Sequence, residues 1–251
     1  MTREAEIDEA EVARFDAVAA QWWDPNGKFA PLHAMNPVRL DYAVDQIAAE
    51  HGRDRTSLRP FEGLSVLDIG CGGGLMAEPM TRLGARVTGI DPSPETVSVA
   101  RAHARTSGLA IDYRAATAQE LLAEGRRFDA VLALEVIEHV PDPAAFCRTV
   151  AGLLVPGGVA VLSTLNRTGK AWGLAILGAE YLLGWLPRGT HDWRRFLSPD
   201  ELAGHLSAAG LVPVDRRGMV YDPLARGWRL SARDLDVNHL ATAVAPKEDT
   251  P

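Results

Sequence analysis

Cysteine is nearly absent from this chain, which has only Cys71 and Cys147 among its 251 residues. Their spacing forms neither a disulfide framework nor a metal-binding knuckle, and such sparse use is typical of a reducing compartment. The chain also lacks an apolar run of the ~20 residues that a transmembrane helix needs. Its acidic start, MTREAEIDEAEVARFD, has no apolar core of the signal-peptide kind. We therefore expect a cytoplasmic protein.

Basic residues are too few for a general attraction to nucleic acid. The chain has 26 Lys and Arg against 33 Asp and Glu, which gives a net charge of −7. A chain with this balance is not expected to bind nucleic acid through its overall field. Its hydrophobic fraction of 47% is ordinary for a globular protein.

Short apolar runs alternate with helical patterns in the middle of the chain. The run LSVLDI over 64–69 ends in glycines, and four more runs predict strands at 85–91, 109–115, 128–134 and 157–165. Helices are predicted between them, one with Ser93 as its N-cap and Pro94 in its first turn. This alternation predicts an α/β fold whose sheet is mostly parallel, with helices on both faces. Ligands of such sheets bind beyond the carboxyl ends of the strands.

The rest of the chain divides around this middle region. Residues 1–60 are predicted to form a helical leader and cap, with a second helix from about Pro37 to Glu50. Residues 61–251 form the main domain, interrupted by an insertion at 166–197. One helix and two strands are predicted after the insertion, which brings the predicted sheet to seven strands.

A glycine-rich turn and an acid point to a nucleoside pocket. DIGCGGG begins where the first strand ends, and Gly70 and Gly72 would let a ligand approach the backbone closely. Asp91 ends the second strand, where a carboxylate can accept both hydroxyls of a ribose. NAD and S-adenosylmethionine both present such a ribose, so the two cofactors must be separated by other residues.

The residue that separates them best is Asp68. The dinucleotide pattern GxGxxG fails when it is counted from Gly70, because Leu75 takes the last glycine position. Counted from Gly72 it ends in Ala77, which is tolerated, so the pattern alone does not decide. A carboxylate at Asp68 would repel a pyrophosphate but favour the ammonium or sulfonium region of S-adenosylmethionine. We therefore favour S-adenosylmethionine, with an NAD-dependent oxidoreductase as the alternative.

Motifs along nearly the whole chain carry a family resemblance. VLDIGCGGG, GIDPS, LEVIEHVPDP and LVPGG, in this order, resemble the class I methyltransferases, which have a Rossmann-like fold. NPVRL, STLNRTGKAW, GAEYLL, GTHDWRRFLSPDEL and DVNHLATA resemble the ubiquinone-biosynthesis O-methyltransferase family more specifically. The resemblance extends from about Arg14 to Ala245.

The resemblance implies a reaction and a set of cofactor residues. Members of this family methylate phenolic hydroxyls of a polyprenyl catechol and of demethylubiquinol, and association with other enzymes of that pathway is implied. Arg39 would pair with the cofactor carboxylate, Gly70 would admit the cofactor, Asp91 would hold its ribose, and Leu134 would pack beside it. Two other functions remain open: methylation of another small phenol, and a non-catalytic lipid-binding role.

The motif EVIEHVPDP offers two ways to activate a phenol, whose pKa is near ~10. His139, with Glu138, could remove the proton as a general base. Alternatively Glu135, Glu138 and His139 could hold Mg²⁺, which a catechol would chelate and which the resemblance to eukaryotic members suggests. Oxygen ligands suit Mg²⁺ better than a histidine does. Both possibilities stay open at this point.

The insertion contains an apolar stretch, AWGLAILGAEYLLGWLP over 171–187, flanked by Arg and Lys. A helix that is apolar nearly all round must be buried somewhere. It is expected either to cover the substrate as a lid or to contact an anionic membrane peripherally, at the inner face of the cell membrane. A polyprenyl substrate lies in the bilayer, which makes the second possibility relevant.

Overall fold

An eight-stranded sheet organises the part of the chain that the computed structural model describes, namely residues 12, 13, 16, 18–171, 173 and 193–247. Most of its strands follow apolar runs, rich in Val, Leu, Ile and Ala, that suit a sheet covered on both faces. The strands are β1 Ser65–Ile69, β2 Arg86–Asp91, β3 Asp112–Ala115, β4 Phe128–Leu134, β5 Leu154–Leu165, β6 Val212–Asp222, β7 Gly227–Ser231 and β8 Asn238–Val244.

Helices connect the strands and begin at recognisable caps. The Ser93 hydroxyl accepts a hydrogen bond from Thr96 N, and Ser198 forms a capping box with Glu201. The longer helices are α1 Ala30–Glu50, α2 Ala77–Arg82, α3 Pro94–Thr106, α4 Ala118–Ala123, α5 Pro143–Gly152 and α6 Pro199–Ala208. Shorter helical turns are Ala19–Gln21, Ile137–His139, Gly169–Ala171 and Trp193–Arg195.

The predicted site residues follow several different strands, and the strand order makes these strands end at the same edge of the sheet. The order is β3-β2-β1-β4-β5-β8-β6-β7, with β1 to β5 parallel to one another. Strand β8 is antiparallel to both β5 and β6, so β6 runs in the same direction as β5. We call the edge at which β1, β2, β4 and β5 end the carboxyl edge, and the opposite one the amino edge.

The predicted α/β fold with a mostly parallel sheet is confirmed, but the sheet has eight strands where seven were predicted. The additional strand is β7, which pairs with the end of β6 from Gly218 to Asp222. Asp222 makes this hairpin possible, because its Oδ1 accepts hydrogen bonds from Leu224 N and Ala225 N and so tightens the turn.

Apolar side chains pack on both faces of the sheet. In β1, Val66 belongs to a core cluster that includes Tyr42 and Ile47 of α1. Its neighbour Leu67 belongs to a second cluster, which contains residues of α5 and α6. Successive side chains of a strand point to opposite faces, so β1 is buried on both sides. The two layers of helices therefore fix the carboxyl edge firmly.

Two helices differ from the prediction. Helix α1 begins at Ala30, with Pro31 in its first turn, so Pro37 lies inside it and does not start it. The turn before Pro37 is anchored to other elements, because Asn36 Nδ2 donates to Leu75 O. Helix α4 is not among the predicted elements, although Thr117 and Glu120 form the capping box that the sequence TAQE spells.

Candidate active site

The loop after β1 adopts a conformation that requires glycine. Gly70 and Gly72 have φ angles of 66° and 53°, in the left-handed region. A Cβ atom on Gly70 would lie 2.6 Å from Cγ2 of Val136, which follows β4. The loop therefore passes very close to the residues that follow β4, as expected of a backbone that a ligand approaches at the carboxyl edge.

Asp91 lies beside this loop. Its Oδ2 accepts a hydrogen bond of 3.2 Å from Gly72 N, and its Oδ1 accepts one of 3.0 Å from Ser93 N. Burial raises the pKa of Asp91 to about 6, although these backbone hydrogen bonds lower it. Each oxygen keeps a lone pair beyond the bond it already accepts. The carboxylate therefore has lone pairs left with which it could accept the hydroxyl groups of a ribose.

Asp68 is the other acid of the pocket and is only 3% exposed. Burial, and next the negative charge of Asp91, raise the pKa of Asp68 to about 7. Its Oδ2 has no hydrogen-bond partner among the described residues. A buried carboxylate oxygen without a partner is costly, and a cationic group placed beside it would relieve that cost. This arrangement fits the ammonium group of S-adenosylmethionine.

Two tryptophans that the sequence analysis did not select cover the outside of the loop. A Cβ atom on Gly72 would lie 2.5 Å from the ring of Trp22, and Trp23 Nε1 donates to Gly73 O over 2.9 Å. The ring of Trp23 also stacks on His103, with centroids 3.4 Å apart. The absence of a side chain at Gly72 therefore allows the ring of Trp22 to pack against the loop, in addition to any role in admitting the cofactor. The adjacent tryptophans of QWWDP, just before helix α1, are the sequence signal that could have found this contact.

Arg39 reaches the carboxyl edge from α1. It is 4% exposed, and its Nη2 lies 2.9 Å from Oε1 of Glu135. Neither its Nε nor its Nη2 has a hydrogen-bond partner among the described residues, so the contact with Glu135 is an ion pair. A buried guanidinium with a spare N–H is suited to receive a carboxylate. The structure thus brings together Arg39, predicted for the cofactor, and Glu135, predicted for a metal.

Glu135 is held by several donors at once. Its Oε1 accepts hydrogen bonds from Ser163 Oγ at 2.7 Å and from Asn238 Nδ2 at 2.8 Å, in addition to the ion pair. Burial raises the pKa of Glu135, but the charge of Arg39 and the bonds from Asn238 and Ser163 outweigh it, so the pKa lies below its usual value. Glu135 is therefore a charged carboxylate whose Oε1 atom has three partners.

Glu138 and His139 lie in the turn after Glu135. Glu138 is 3% exposed, and its Oε2 accepts a hydrogen bond of 2.8 Å from Thr164 Oγ1. Burial, followed by the charge of Glu135, raises the pKa of Glu138 to about 8, so it holds its proton at neutral pH. His139 is half-buried in the same turn. Its place in the turn after β4 puts His139 near the carboxyl edge.

These residues do not fit a Mg²⁺ site. The Oε1 atom of Glu135 already contacts Arg39, Ser163 and Asn238, and Oε2 of Glu138 accepts a hydrogen bond from Thr164. In the part of the chain that the structure describes, no group of three or more His, Cys, Asp and Glu residues could hold a metal ion. The predicted ligands Glu135, Glu138 and His139 share one turn without forming a ligand set.

Leu134 completes the predicted cofactor residues. It ends β4 at the carboxyl edge, opposite Ser163 of β5, and is half-buried against the core. An aliphatic side chain there can pack against a bound nucleoside. The apolar stretch predicted as lid or membrane contact lies outside the described residues, apart from Ala171 and Gly173.

Comparisons with known proteins agree with this geometry. A family model described as a methyltransferase domain matches residues 42–215. A ubiquinone biosynthesis O-methyltransferase of Dinoroseobacter shibae is 59% identical over 240 residues, 96% of this chain and 97% of the relative. One of the same name from Cereibacter sphaeroides is 56% identical over 98% of this chain and all of the relative.

Solved structures share the fold at lower identity. Magnesium protoporphyrin IX methyltransferase of Synechocystis, solved with bound SAM, has a TM-score of 0.62 at 19% identity, over 96% of this chain and 99% of that one. An S-adenosylmethionine-dependent methyltransferase of Clostridium acetobutylicum also has a TM-score of 0.62, at 15% identity, over 87% of this chain and 98% of that one. These similarities concern the fold alone.

Proposed function

Because the chain belongs to the family of ubiquinone biosynthesis O-methyltransferases, we propose that it methylates phenolic hydroxyls of polyprenyl catechol and demethylubiquinol intermediates. It is an S-adenosylmethionine-dependent O-methyltransferase. The observation that carries the proposal is the convergence of Asp68, Asp91 and Arg39 at the carboxyl edge. Each offers the charge that one part of the cofactor needs. The methyltransferase family favours this cofactor over NAD.

The three groups would hold different parts of the cofactor. Asp91 would accept the ribose hydroxyls, Arg39 would pair with the carboxylate, and the unpartnered oxygen of Asp68 would face the ammonium group. When bound, S-adenosylmethionine supplies a methyl group on a positively charged sulfur. Charged partners held in a buried pocket fix the direction in which that group is presented, and good alignment lowers the barrier to transfer.

The chain must also take the proton from the attacking phenol. A phenol with a pKa near ~10 is mostly protonated at neutral pH. We propose that a ring nitrogen of His139 accepts that proton, because His139 lies half-buried in the turn at the mouth of the pocket. Glu138 is protonated beside it and adds no second negative charge. No step is assigned to Mg²⁺, since the residues predicted to bind it are engaged otherwise.

The direct test is methyl transfer from labelled S-adenosylmethionine to a short-chain polyprenyl catechol. We expect a labelled methyl ether, formed at the same rate in EDTA as in Mg²⁺. No product with the catechol, together with turnover of an unrelated small phenol, would reject the proposed substrate. Restoration by Mg²⁺ of activity that EDTA removes would instead support the metal prediction.

We further propose that the protein contacts an anionic membrane peripherally. No helix among the described residues is long and apolar enough to cross a bilayer. Support comes from the β6–β7 hairpin, which extends from the carboxyl edge and exposes Leu224 by 96% and Tyr221 by 50%. Residues 220–233 contain three Arg and one Asp, a local charge of +2 on a chain of −7. Such a tip complements anionic headgroups.

Vesicle sedimentation with and without anionic lipid tests this contact. Leu224→Glu should weaken binding to anionic vesicles ~3-fold or more, because it removes an apolar contact and one unit of attraction. Leu58→Glu is the matched control, since Leu58 is 92% exposed but lies before β1, at the amino edge. Equal loss in both variants would mean that the hairpin is not the contact.

A further inference from the structure

Arg39 cannot hold its position through its own helix alone. A guanidinium buried to 4% exposure is costly unless it is paired, and the partner that the structure provides is Oε1 of Glu135. The pair joins α1 to the residue that follows β4, so Glu135 sets where the guanidinium points. The remaining N–H of Nε has no partner among the described residues.

Glu135 is itself held in place by residues of strands β5 and β8. Its backbone has a φ of 56°, which is unfavourable for a residue other than glycine. Its N–H donates to Ser163 O over 3.0 Å, and its carboxylate accepts from Ser163 Oγ and Asn238 Nδ2. Strands β5 and β8 therefore fix a strained residue whose carboxylate faces Arg39.

The neutral amide of Asn238 suits a position beside the carboxylate of Glu135. It opens β8 and is 3% exposed, and while its Nδ2 donates to Glu135, its Oδ1 has no hydrogen-bond partner among the described residues. The amide donates to Glu135 without adding a charge, whereas an aspartate at this position would repel it. Asn238 was quoted in a family motif but was not among the site residues predicted from the sequence.

We propose that Glu135 and Asn238 are positioning residues, which orient Arg39 so that its free N–H groups meet the carboxylate of the cofactor. The inference rests on the proposed function and extends it to two residues that act on the cofactor through Arg39. A guanidinium has five N–H donors arranged as a fork, so it can pair with Glu135 and a second carboxylate together. Glu135 thus serves the cofactor through Arg39, not through a metal ion.

Calorimetric titration with two ligands tests the proposal without turnover. S-adenosylhomocysteine carries the carboxylate, whereas 5′-methylthioadenosine lacks the amino acid portion. We expect Glu135→Gln and Asn238→Ala each to weaken S-adenosylhomocysteine binding ~5- to 20-fold, as expected for a misplaced charge-assisted bond. Binding of 5′-methylthioadenosine should change less than ~2-fold, because a positioning role does not concern the nucleoside.

The route through Arg39 is tested by a double-mutant cycle. In an Arg39→Ala background, Glu135→Gln should cause no further loss of S-adenosylhomocysteine affinity. Glu124→Gln, which breaks an exposed ion pair with Arg114, is the control and should bind both ligands as the parent does. If the Glu135→Gln variant fails to fold, the Ser163→Ala and Asn238→Ala variants take its place in the experiment. Each of them removes one hydrogen bond to the same carboxylate.

Three outcomes would overturn the inference. They are an unchanged affinity in the Glu135 and Asn238 variants, equal losses for both ligands, and losses that persist in the Arg39→Ala background. A loss that appears only when Mg²⁺ is present, and disappears in EDTA, would assign Glu135 to a metal instead. If the parent protein binds neither ligand, the proposed function itself fails, which distinguishes the two failures.

Discussion

The two edges of the sheet differ in how they satisfy an acidic side chain: Asp129 at the amino edge is half-buried, and Asp68 at the carboxyl edge is buried. At the amino edge, Asp129 Oδ2 accepts hydrogen bonds from Ser65 N at 2.7 Å and from Ser65 Oγ at 2.6 Å. Burial raises the pKa of Asp129, but these bonds outweigh it and the pKa lies below its usual value. At the carboxyl edge, Asp68 keeps an unpartnered oxygen and its pKa is raised by burial to about 7.

The difference distinguishes side chains that stabilise the fold, such as Asp129, from side chains such as Asp68, whose missing partner a bound ligand would supply. The half-buried Asp129 receives two hydrogen bonds from Ser65, as expected of a carboxylate that serves the fold. At the carboxyl edge, buried atoms of Asp68, Arg39, Glu138 and Asn238 have no hydrogen-bond partner among the described residues, although Asp215 in the first part of β6 also has such an atom. An incoming cofactor can provide what these groups lack. Substitutions at the two edges should therefore have different consequences.

The largest expected effect is on turnover. His139→Ala should lower kcat by ~10²-fold while the affinity for S-adenosylhomocysteine stays nearly the same, because a general base contributes about that factor. His51→Ala at the amino edge, where Nε2 contacts Asp129 O, is the control and should leave kcat unchanged. Steady-state kinetics measure both. A kcat within ~3-fold of the parent would remove His139 as the base.

The next effect is on cofactor affinity. Asp91→Ala should weaken S-adenosylhomocysteine binding by ~1.5–3 kcal/mol, because the charge-assisted bonds to the ribose are lost. Calorimetry measures this loss, and Asp129→Ala should bind as the parent does while unfolding at a lower temperature. An Asp91 variant with the parent's affinity would place the ribose elsewhere.

A smaller effect, of opposite sign at the two edges, concerns stability. The pKa of Asp68 is about 7 in the folded chain and near ~3.9 unfolded, so its ionisation costs stability as the pH rises from ~4 to ~7. Asp68→Asn should then raise the Tm of the cofactor-free protein by ~3–6 °C at pH 8, and by less at pH 5. A Tm that is lower at pH 8 would contradict this.

The matched substitution at the amino edge should behave differently. The folded pKa of Asp129 is lowered, so its charged form contributes stability above the unfolded pKa, and this is lost as the pH falls through the folded value. Asp129→Asn should therefore lower the Tm at neutral pH, with less difference from the parent in acid. Thermal melts across pH compare both variants. A change in Tm of the same sign in Asp68→Asn and Asp129→Asn at neutral pH would contradict the difference between the two edges.

The fold and the positions of the candidate acids could be predicted from the sequence. Apolar runs ending in glycine or acid predicted the strands, and Gly70 and Asp91 follow directly from where β1 and β2 end. Such positions depend on local pattern and on the parallel arrangement, both of which a single sequence carries. Strand β7 has a mixed pattern, GWRLS, and depends on its hairpin partner, so it was missed.

The network around Arg39 was not accessible in the same way. Its members lie far apart in the sequence, so the pairing of Glu135 with Arg39 and Asn238 depends on how α1 and β8 pack on the sheet. Proximity in the sequence instead suggested that Glu135, Glu138 and His139 act together on a metal. In the structure Glu135 instead contacts Arg39, Ser163 and Asn238, which lie in α1, β5 and β8.

The most direct test of the account is the number of protons exchanged when S-adenosylhomocysteine binds near pH 7. Calorimetry in two buffers of different ionisation enthalpy gives this number. Asp68 is about half protonated at this pH, and an ammonium group beside it should expel the proton. We predict net release of ~0.3–0.5 proton in the parent and almost none in Asp68→Asn. Binding without proton release, or equal release by both proteins, would contradict the assignment of the carboxyl edge to the cofactor.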